Sequence, residues 1–477
     1  MSRFIGRQAE LAELRWALKK RTASLLLVRG RRRIGKSRLI EEFAKPHRLL
    51  SIIGLPPNER TTRKSELAEF SRQFSLALGM PPVAFGDWGD AFHHLAKATA
   101  QGRVIVLLDE ISWMGSKDPT FLGKLKTAWD TQFKRNDKLI LVLCGSASTW
   151  IEKNILSSTG FVGRVSRTLT LEELPLHHCA RFWLDPDGNI SVYEKAKMLA
   201  VTGGVPRYLE EIDTTQSSEE NIKRMCFTRG GLLVAEFDQI FNNLFLHDSP
   251  AYKRLLGTLV SGDKDNQQIT RSLGSRQTGR LSGYLEELAT AGFIKRDYTW
   301  DIKTGLDHPK QSRYRLSDNY LRFYLKYMEQ RLSQIERGVY RFKSLEHLPE
   351  WGPIMGLQLE NLVLNSRAAL HEALDIDVNS IVNENPHFQS PTLTQSGCQI
   401  DFMIQTKFSC LYICEIRFSI RPIGTEIIKE VQAKIDRLKR PKHFSCRPVL
   451  IHINGVTREL TDSDYFAHML DVSKMLQ

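Results

Sequence analysis

The sequence predicts an α/β protein built around a parallel β-sheet. Three observations predict it: an apolar segment that leads through a glycine-rich loop into a helix, a second apolar segment that ends in two carboxylates, and repeated alternation of strand and helix patterns. The chain of 477 residues is long enough for roughly three domains. We place them at residues 1–235, 245–345 and 350–477, where the patterns change.

The first predicted strand, at residues 23–28, leads into the loop GRRRIGKS. This loop fits the motif G-x-x-x-x-G-K-[ST] at every fixed position, and a helical pattern follows it. Such a loop points backbone N–H groups at an anion, and the start of the helix adds positive potential. We therefore predict that ATP and Mg²⁺ bind here, with Lys36 on the β- and γ-phosphates and Ser37 on the metal. The predicted nucleotide contacts in the loop are Gly30, Arg33, Ile34, Gly35, Lys36, Ser37 and Arg38.

A second apolar segment, at residues 104–108, ends in Asp109 and Glu110. A strand without a polar face belongs in the middle of a parallel sheet, and its carboxyl end lies at the edge where such sheets bind ligands. Asp109 is therefore predicted to support Mg²⁺, and Glu110 to orient or deprotonate the attacking water. The alternative is a strand that ends at a solvated turn.

Two further residues are candidates for catalysis. Ser146 follows a strand pattern at 139–144 and could hydrogen-bond the γ-phosphate or the water, with Ser148 behind it. A plain Gly/Ser turn is the alternative. Arg164 precedes a strand pattern at 166–171 and could stabilise charge on the transferred phosphoryl group, in its own subunit or in a neighbouring one. An ordinary surface arginine is the alternative there.

The amino terminus is a further candidate for nucleotide contact. Phe4, Ile5 and Arg7 precede an amphipathic helix pattern at 10–19. In many phosphate-loop ATPases a segment like this lies against the adenine. A segment that only packs the amino terminus onto the domain is an equal alternative.

Composition bears on the partners and the cellular setting. The formal charge of +13 and the pI of about 9.3 favour DNA or another polyanion, although a merely basic surface also fits. The seven cysteines form no C-x-x-C pair, so we expect reduced thiols rather than a zinc site. The sequence shows no signal-peptide pattern and no apolar run of about 18 residues, so we expect a soluble, cytoplasmic protein without a membrane segment.

Five motifs occur in an order that resembles a known family. They are Phe-Ile-Gly-Arg from residue 4, GRRRIGKS from residue 30, Leu-Leu-Asp-Glu-Ile from residue 107, Cys-Gly-Ser from residue 144 and Gly-Gly-Val-Pro from residue 203. As a set they resemble the archaeal-type AAA ATPases, near the STAND branch of the AAA+ superfamily. The resemblance covers about the first 235 residues and implies an ATP-binding αβ core with a small helical lid. It also implies that the Gly-Gly-Val-Pro segment, with Pro206, lies in the lid near the nucleotide.

The middle of the chain resembles the winged-helix segment of the same proteins. Helix patterns at 252–259, 267–273 and 277–291 precede a hairpin pattern at 293–316, which together make a helix-turn-helix variant. If this segment binds DNA, then Ser275, Arg276 and Arg280 face a groove or its phosphates. A spacer between domains is the alternative, because the fold alone does not guarantee contact with DNA.

The carboxyl-terminal patterns run αββαβ and carry candidate nuclease residues. Glu360 lies on the first helix, Asp401 in the first strand, and Glu415 and Arg417 in the second. Asp followed about fourteen residues later by Glu-x-Lys is the motif of PD-(D/E)xK nucleases, so the region resembles a restriction-endonuclease-like α/β domain. Residues two apart in a strand share a face, so Asp401 can meet Glu415 and Arg417. Two carboxylates could then hold Mg²⁺ or Mn²⁺ for phosphodiester cleavage.

The chain departs from that motif at one position. Arg417 stands where the motif has Lys, and arginine differs in shape and proton chemistry. The region is therefore an active nuclease, a weakened nuclease, a DNA-binding relic, or a mixed sheet with solvated carboxylates. The cationic and polar residues of the next helix pattern that would lie near a DNA backbone are Gln432, Lys434, Arg437, Lys439 and Arg440.

Three hypotheses for the whole chain follow. The first is an ATP-dependent protein that acts on DNA, in which the ATPase controls the winged helix and the nuclease-like domain, alone or as a homo-oligomer. The second is a STAND-like switch that binds a protein partner, which basic residues scattered around Arg417, Lys434 and Arg280 would favour. The third is a DNA-binding ATPase with an inactive nuclease domain and steeply salt-dependent DNA binding.

Overall fold

A parallel sheet of five strands organises the amino-terminal part of the protein. The computed structural model describes residues 4–57, 60–183, 189–244, 249–274, 278–393 and 395–476. The sheet consists of β1 (Ser24–Gly30), β2 (Arg48–Ile53), β3 (Val104–Asp109), β4 (Ile140–Ser146) and β5 (Val165–Leu171). Its strands lie in the order β2-β3-β4-β1-β5, and every neighbouring pair is parallel. The predicted α/β class is confirmed here.

Helices cover both faces of this sheet, because successive side chains of a strand point to opposite sides. In β1, Leu25 and Leu27 belong to one apolar core, and Leu26 and Val28 to another. The helices are α1 (Gln8–Lys19), α2 (Lys36–Ala44), α3 (Arg63–Leu78), α4 (Trp88–Ala98), α5 (Ile111–Gly115), α6 (Phe121–Thr131) and α7 (Thr149–Ile151). Residues of α1 and α2 fill the core of Leu26, whereas those of α3, α4 and α6 fill the core of Leu25.

Short helices and one hairpin make up the middle of the chain. The helices are α8 (Leu176–Cys179), α9 (Val192–Thr202), α10 (Pro206–Leu209), α11 (Ser218–Cys226), α12 (Glu236–Leu244), α13 (Ser249–Thr258), α14 (Asn266–Leu273) and α15 (Thr278–Thr290). The strands β6 (Ile294–Trp300) and β7 (Asp307–Leu316) pair antiparallel. Three helices followed by a hairpin is the order expected from the sequence for this stretch.

A second, mixed sheet occupies the carboxyl-terminal part. The remaining helices are α16 (Asn319–Phe323), α17 (Leu332–Glu336), α18 (Trp351–Leu364), α19 (Arg367–Ala373), α20 (Glu426–Arg437) and α21 (Arg458–Thr461). The strands are β8 (Ile381–Gln389), β9 (Cys398–Thr406), β10 (Cys410–Arg417), β11 (Ser445–His452) and β12 (His468–Asp471), in the order β12-β11-β10-β9-β8. Strands β8 to β10 are antiparallel and β10 to β12 parallel. The predicted αββαβ order is present, with β8 and β12 as additions at the edges.

Two compact units divide the described chain. One unit holds residues 4–172 with the short pieces 240–244 and 286–292, and the other holds the rest. Residues 173–235, predicted as part of the first domain, belong to the second unit because their helices pack on its helices. The Asn319 side chain donates to the Leu199 carbonyl of α9, and the Leu176 N–H donates to the Ser366 hydroxyl at 3.1 Å.

The hairpin of β6 and β7 is also part of the carboxyl-terminal core rather than a separate domain. Trp300 at the end of β6 is 2% exposed and packs with Ile413 and Leu450 of the second sheet. Its indole Nε1–H donates to the Gln405 side chain at 2.6 Å. Trp300 and Ile302, from the stretch predicted as the second domain, therefore share a core with the second sheet.

None of the helices in the part of the chain that the structure describes is long and apolar enough to cross a lipid bilayer.

Candidate functional site

The phosphate-loop motif forms the connection between β1 and α2. Gly30 ends β1, and a Cβ atom at this position would lie 2.6 Å from the Leu171 carbonyl oxygen, so the close approach of β5 requires glycine. Gly35 has a φ of 89°, in the left-handed region that favours glycine. Lys36 begins α2, and its ammonium donates to the carbonyls of Gly30 at 3.2 Å and Arg31 at 3.1 Å. The lysine is thus folded back over the mouth of the loop.

Asp109 reaches this loop from the neighbouring part of the sheet. Strands β3, β4 and β1 are adjacent and parallel, so their carboxyl ends meet at one edge. The Ser37 hydroxyl donates to Asp109 Oδ2 at 2.5 Å, and Asp109 Oδ1 accepts the Glu110 N–H at 2.9 Å. The structure therefore brings together the two residues that were predicted to hold the metal.

Glu110 lies beside them in an unusual environment for a carboxylate. Its backbone is left-handed, with a φ of 51°, and its Oε2 atom is buried without a hydrogen-bond partner among the described residues. Burial raises the pKa of Glu110, the charge of Lys36 opposes that rise, and the N–H of Ser146 donates to the carboxylate. Ser146, the predicted sensor, thus lies at the same sheet edge and contacts Glu110 through its backbone.

These donors fit a nucleotide with a divalent cation. A hydroxyl and a carboxylate in contact are the oxygen ligands that Mg²⁺ prefers. The ammonium of Lys36 and the first N–H groups of α2 suit phosphate oxygens. The orphaned Oε2 of Glu110 is an acceptor that a water molecule could satisfy.

Comparisons with known proteins agree with this geometry. Residues 4–212 match a family model described as an ATPase domain predominantly from Archaea. Residues 4–212 are thus similar to ATPase domains of this archaeal type. An uncharacterized protein of Methanocaldococcus jannaschii is 24% identical over 349 residues, which span 72% of this chain and 73% of that protein. The protein described here is therefore an ATPase that binds a nucleotide.

Two solved structures that match the chain have lower sequence identity. The Walker-type ATPase of Pyrococcus abyssi is 18% identical with a TM-score of 0.49, and the match covers 68% of this chain and 96% of that one. The ORC2 protein of Aeropyrum pernix, in a complex with ADPNP and ADP, is 13% identical with a TM-score of 0.43 and coverages of 69% and 94%.

The amino-terminal residues of the ATPase lie next to the phosphate loop. Phe4 packs against the core that contains Ile34 and Leu171, and Ile5 is partly exposed. The buried guanidinium of Arg7 donates to the Ile34 carbonyl at 3.2 Å and to the Glu172 carbonyl at 2.5 Å. In the structure Arg7 thus holds the loop backbone, and its predicted contact with nucleotide stays a prediction. The predicted nucleotide contacts of the loop residues Arg33, Ile34 and Arg38 also stay predictions.

Arg164 does not join the site in its own subunit. It precedes β5, which runs parallel to β1, so it lies at the amino-terminal edge of the sheet while the phosphate loop lies at the carboxyl-terminal edge. Seven strand residues at about 3.3 Å each separate the two edges by roughly 20 Å. Arg164 donates three hydrogen bonds to Asp130, at 2.8 to 3.1 Å, and lines a cleft of about 570 Å³ with Lys20 and Lys134. A role within one subunit is incompatible with this separation.

Pro206 occupies the first position of α10. It belongs to the second compact unit, whereas the phosphate loop belongs to the first. Its predicted contact with nucleotide therefore stays a prediction.

A second polar cluster lies at β9, β10 and α20 of the second unit. The Lys434 ammonium donates to Glu415 Oε2 at 2.5 Å and lies 3.3 Å from Asp401 Oδ1. Asp401 Oδ2 also accepts the Ile416 N–H at 2.9 Å. Arg417 forms ion pairs with Glu415 at 2.7 Å and with Glu430. The structure thus brings Asp401, Glu415 and Arg417 together, as predicted, but with a lysine between the two carboxylates.

Burial and mutual repulsion shape the charges of this cluster. Burial raises the pKa of Glu415, and the charge of Asp401 adds to the rise. Burial works against the charged form of Lys434, but Asp401 and Glu415 outweigh it and raise the pKa of the lysine. Burial also raises the pKa of Glu360 to about 8, with a further contribution from Asp401. Glu360 of α18 therefore lies within electrostatic range of Asp401, and the rise favours its neutral form.

The other predicted DNA-contacting residues lie outside this cluster or outside the residues that the structure describes. Ser275 and Arg276 lie outside the described residues. Arg280 is exposed on α15. Among the residues that the structure describes, no three His, Cys, Asp or Glu side chains are arranged to hold a metal ion.

The position of Lys434 at the carboxylates was not predicted, although the sequence carries a signal for it. Ile427, Val431 and Ile435 form the buried stripe of α20, and Lys434 follows Val431 by three residues. Residues three or four apart lie on one helix face, so Lys434 had to point toward the sheet. A lysine on a buried stripe needs an acidic partner, and Asp401 and Glu415 are the carboxylates at hand.

Proposed function

We propose that this ATPase uses Lys36, Ser37, Asp109 and Glu110 to hydrolyse Mg²⁺-bound ATP, and that hydrolysis controls a DNA-acting carboxyl-terminal region. The single observation that carries the first part is the contact of Ser37 with Asp109 beside the buried Glu110. Ser37 and Asp109 would hold the cation, which when bound supplies positive charge to the phosphates.

The remaining chemistry falls to side chains of this chain. Lys36 leaves the carbonyls of Gly30 and Arg31 to bind the β- and γ-phosphate oxygens. Glu110 accepts a proton from the attacking water, and its raised pKa brings it closer to the operating pH, which favours a general base. The Ser146 N–H fixes the orientation of that carboxylate.

Two features support DNA as the target of the carboxyl-terminal region. The chain carries a net charge of +13, which favours a polyanion. The cluster of Asp401, Glu415 and Lys434 combines two carboxylates with one ammonium, the groups that metal-assisted phosphodiester cleavage uses. In this proposal Lys434 supplies the cation that the motif places at position 417.

A specific observation also favours the switch hypothesis, in which the region binds a protein partner. Lys434 is paired with Asp401 and Glu415, and Arg417 with Glu415 and Glu430. These cations are neutralised within the fold and do not form an open basic surface. The lysine must also yield space if a metal ion is to bind both carboxylates.

Cleavage of plasmid and single-stranded DNA with Mg²⁺ or Mn²⁺, with and without ATP, separates these hypotheses. We expect Asp401→Asn and Lys434→Met each to reduce cleavage by at least about 100-fold, because each removes a charge that the transition state uses. Lys429→Met is the matched control, since Lys429 is an exposed lysine of the same helix. A Lys36→Ala variant tests whether ATP governs cleavage.

Each other result selects a different function. Salt-dependent DNA binding without cleavage by the unmodified protein identifies a DNA-binding ATPase with an inactive cluster. Neither binding nor cleavage, with ATP hydrolysis intact, contradicts the DNA proposal and selects the switch.

We propose that Arg164 acts on a neighbouring subunit, because it lies at the sheet edge away from its own phosphate loop, and the proposal therefore includes a homo-oligomer. We expect Lys36→Ala and Arg164→Ala each to lack hydrolysis alone, and a mixture to regain it, because a mixed pair contains one intact phosphate loop facing one intact arginine. Steady-state ATP hydrolysis of the separate and mixed proteins measures this.

The matched control for that mixture is Arg167→Ala. Arg167 is a partly exposed arginine near the same sheet edge, paired with Glu13. Its variant should hydrolyse ATP without being mixed with a second variant. A mixture that stays as inactive as its components contradicts a role of Arg164 between subunits.

A further inference from the structure

Arg7 joins the phosphate loop to the end of the first sheet. Its side chain is buried, and an ion pair with Glu10 at 2.8 Å orients the guanidinium. One nitrogen, Nη2, donates both to the Ile34 carbonyl at 3.2 Å and to the Glu172 carbonyl at 2.5 Å. Ile34 is a phosphate-loop residue, so Arg7 physically connects the loop to Glu172.

Glu172 occupies a special place in the chain. It follows Leu171, which pairs with Gly30 in the register of β1 and β5. The long segment of the first compact unit ends at Glu172, and the second unit begins at Glu173. The Glu172 carbonyl is therefore part of the peptide bond that leads into the second unit.

Within the second unit, Glu173 and Leu174 form hydrogen bonds with the Gly-Gly-Val-Pro segment. The Glu173 carboxylate accepts the Gly204 N–H at 2.9 Å, and the Leu174 N–H donates to the Gly204 carbonyl at 2.8 Å. A Cβ atom at Gly204 would lie 2.1 Å from the Leu174 carbonyl oxygen, so this approach is available only to glycine. The segment before Pro206 is thus held by residues 173 and 174.

We propose that Arg7 transmits the nucleotide state of the phosphate loop to the Glu173–Gly204 contact. The inference rests on nucleotide binding at the loop and adds a route by which that binding reaches the second unit. The two hydrogens of Nη2 serve the two carbonyls and belong to one planar, rigid guanidinium. A guanidinium that follows the Ile34 carbonyl when phosphates bind therefore also shifts the donor to the Glu172 carbonyl, next to Glu173. Arg7 is accordingly a positioning residue and does not act on the phosphates.

Hydrogen exchange of the Gly204 and Leu174 amides tests this route. Exchange is compared without nucleotide, with ADP and with a non-hydrolysable ATP analogue, at concentrations that saturate each variant. In the unmodified protein we expect nucleotide to change these exchange rates by about 5- to 150-fold, the range of coupled sites. In Arg7→Lys we expect less than about a twofold change, because one ammonium cannot reproduce the planar guanidinium between two carbonyls.

Arg103→Lys is the matched control. Arg103 also donates to two backbone carbonyls of the ATPase domain, those of Lys138 at 2.8 Å and Leu18 at 3.0 Å. It precedes β3, at the sheet edge away from the phosphate loop. A loss of two carbonyl bonds alone would affect both variants equally, whereas the proposed route predicts an effect of Arg7→Lys only.

A second variant keeps the test decisive if Arg7→Lys does not fold. Glu173→Gln weakens the bond to Gly204 without touching the phosphate loop, and it should reduce the nucleotide-dependent change at Gly204 while ATP is still hydrolysed. An unchanged nucleotide response at Gly204 in either folded variant overturns the proposal. Lack of nucleotide binding by the unmodified protein would instead contradict the proposed function, so the two failures are distinct.

Discussion

The substitution Glu110→Gln is expected to lower kcat for ATP hydrolysis by about 10²- to 10⁴-fold, the contribution of a positioned general base. Glutamine keeps the shape of the side chain and can still accept the Ser146 N–H through its amide oxygen. It cannot accept a proton from water. Steady-state assays should therefore show a lower rate of ATP hydrolysis. Binding of a fluorescent nucleotide should show little change in the dissociation constant.

Glu66→Gln is the control for burial. Glu66 is another buried glutamate of the ATPase domain with a pKa raised by burial, and its Oε2 accepts the Leu55 N–H at 3.2 Å. The same change of charge at that position should leave kcat within a few-fold of its original value. Equal losses in both variants, or full activity of Glu110→Gln, would assign proton transfer to another group.

Trp300→Ala is expected to destabilise the second unit by about 3–5 kcal/mol, the usual cost of removing a buried aromatic side chain. The substitution opens a cavity in the core of Ile413 and Leu450 and leaves the Gln405 side chain without its indole partner. Because β6 contributes this residue to the carboxyl-terminal core, the hairpin and the second sheet should lose protection together. Denaturant-dependent hydrogen exchange, followed strand by strand, measures the effect.

Phe408→Ala is the comparison within the same unit. Phe408 is 80% exposed between β9 and β10, so its removal should cost less than about 0.5 kcal/mol. Exchange in which the hairpin opens well before the second sheet would contradict a shared core. It would restore the boundary that the sequence predicted near residue 345.

The sequence by itself determined the phosphate loop and its partner carboxylates. Gly30, Lys36 and Ser37 stand at fixed spacing in one short segment, so the geometry of the loop follows from local backbone rules. The apolar strand before Asp109 and Glu110 had to lie inside a parallel sheet, and parallel strands end at the same edge. The contact between Ser37 and Asp109 follows from these two facts.

Only the tertiary structure decided the positions of residues whose neighbours are far away in the sequence. Arg164 lies at the sheet edge opposite to the phosphate loop because β5 runs parallel to β1. The sequence pattern of one strand does not reveal the direction in which that strand pairs. Residues 173–235 belong to the second unit, and Trp300 belongs to the carboxyl-terminal core. Apolar side chains are buried against the elements that the complete fold places beside them, and a local sequence pattern does not identify those elements. Lys434 lies beside Arg417 at the carboxylates for the same reason. The local helix pattern determines which face of α20 carries Lys434. The sheet determines that Asp401 of β9 and Glu415 of β10 lie opposite that face.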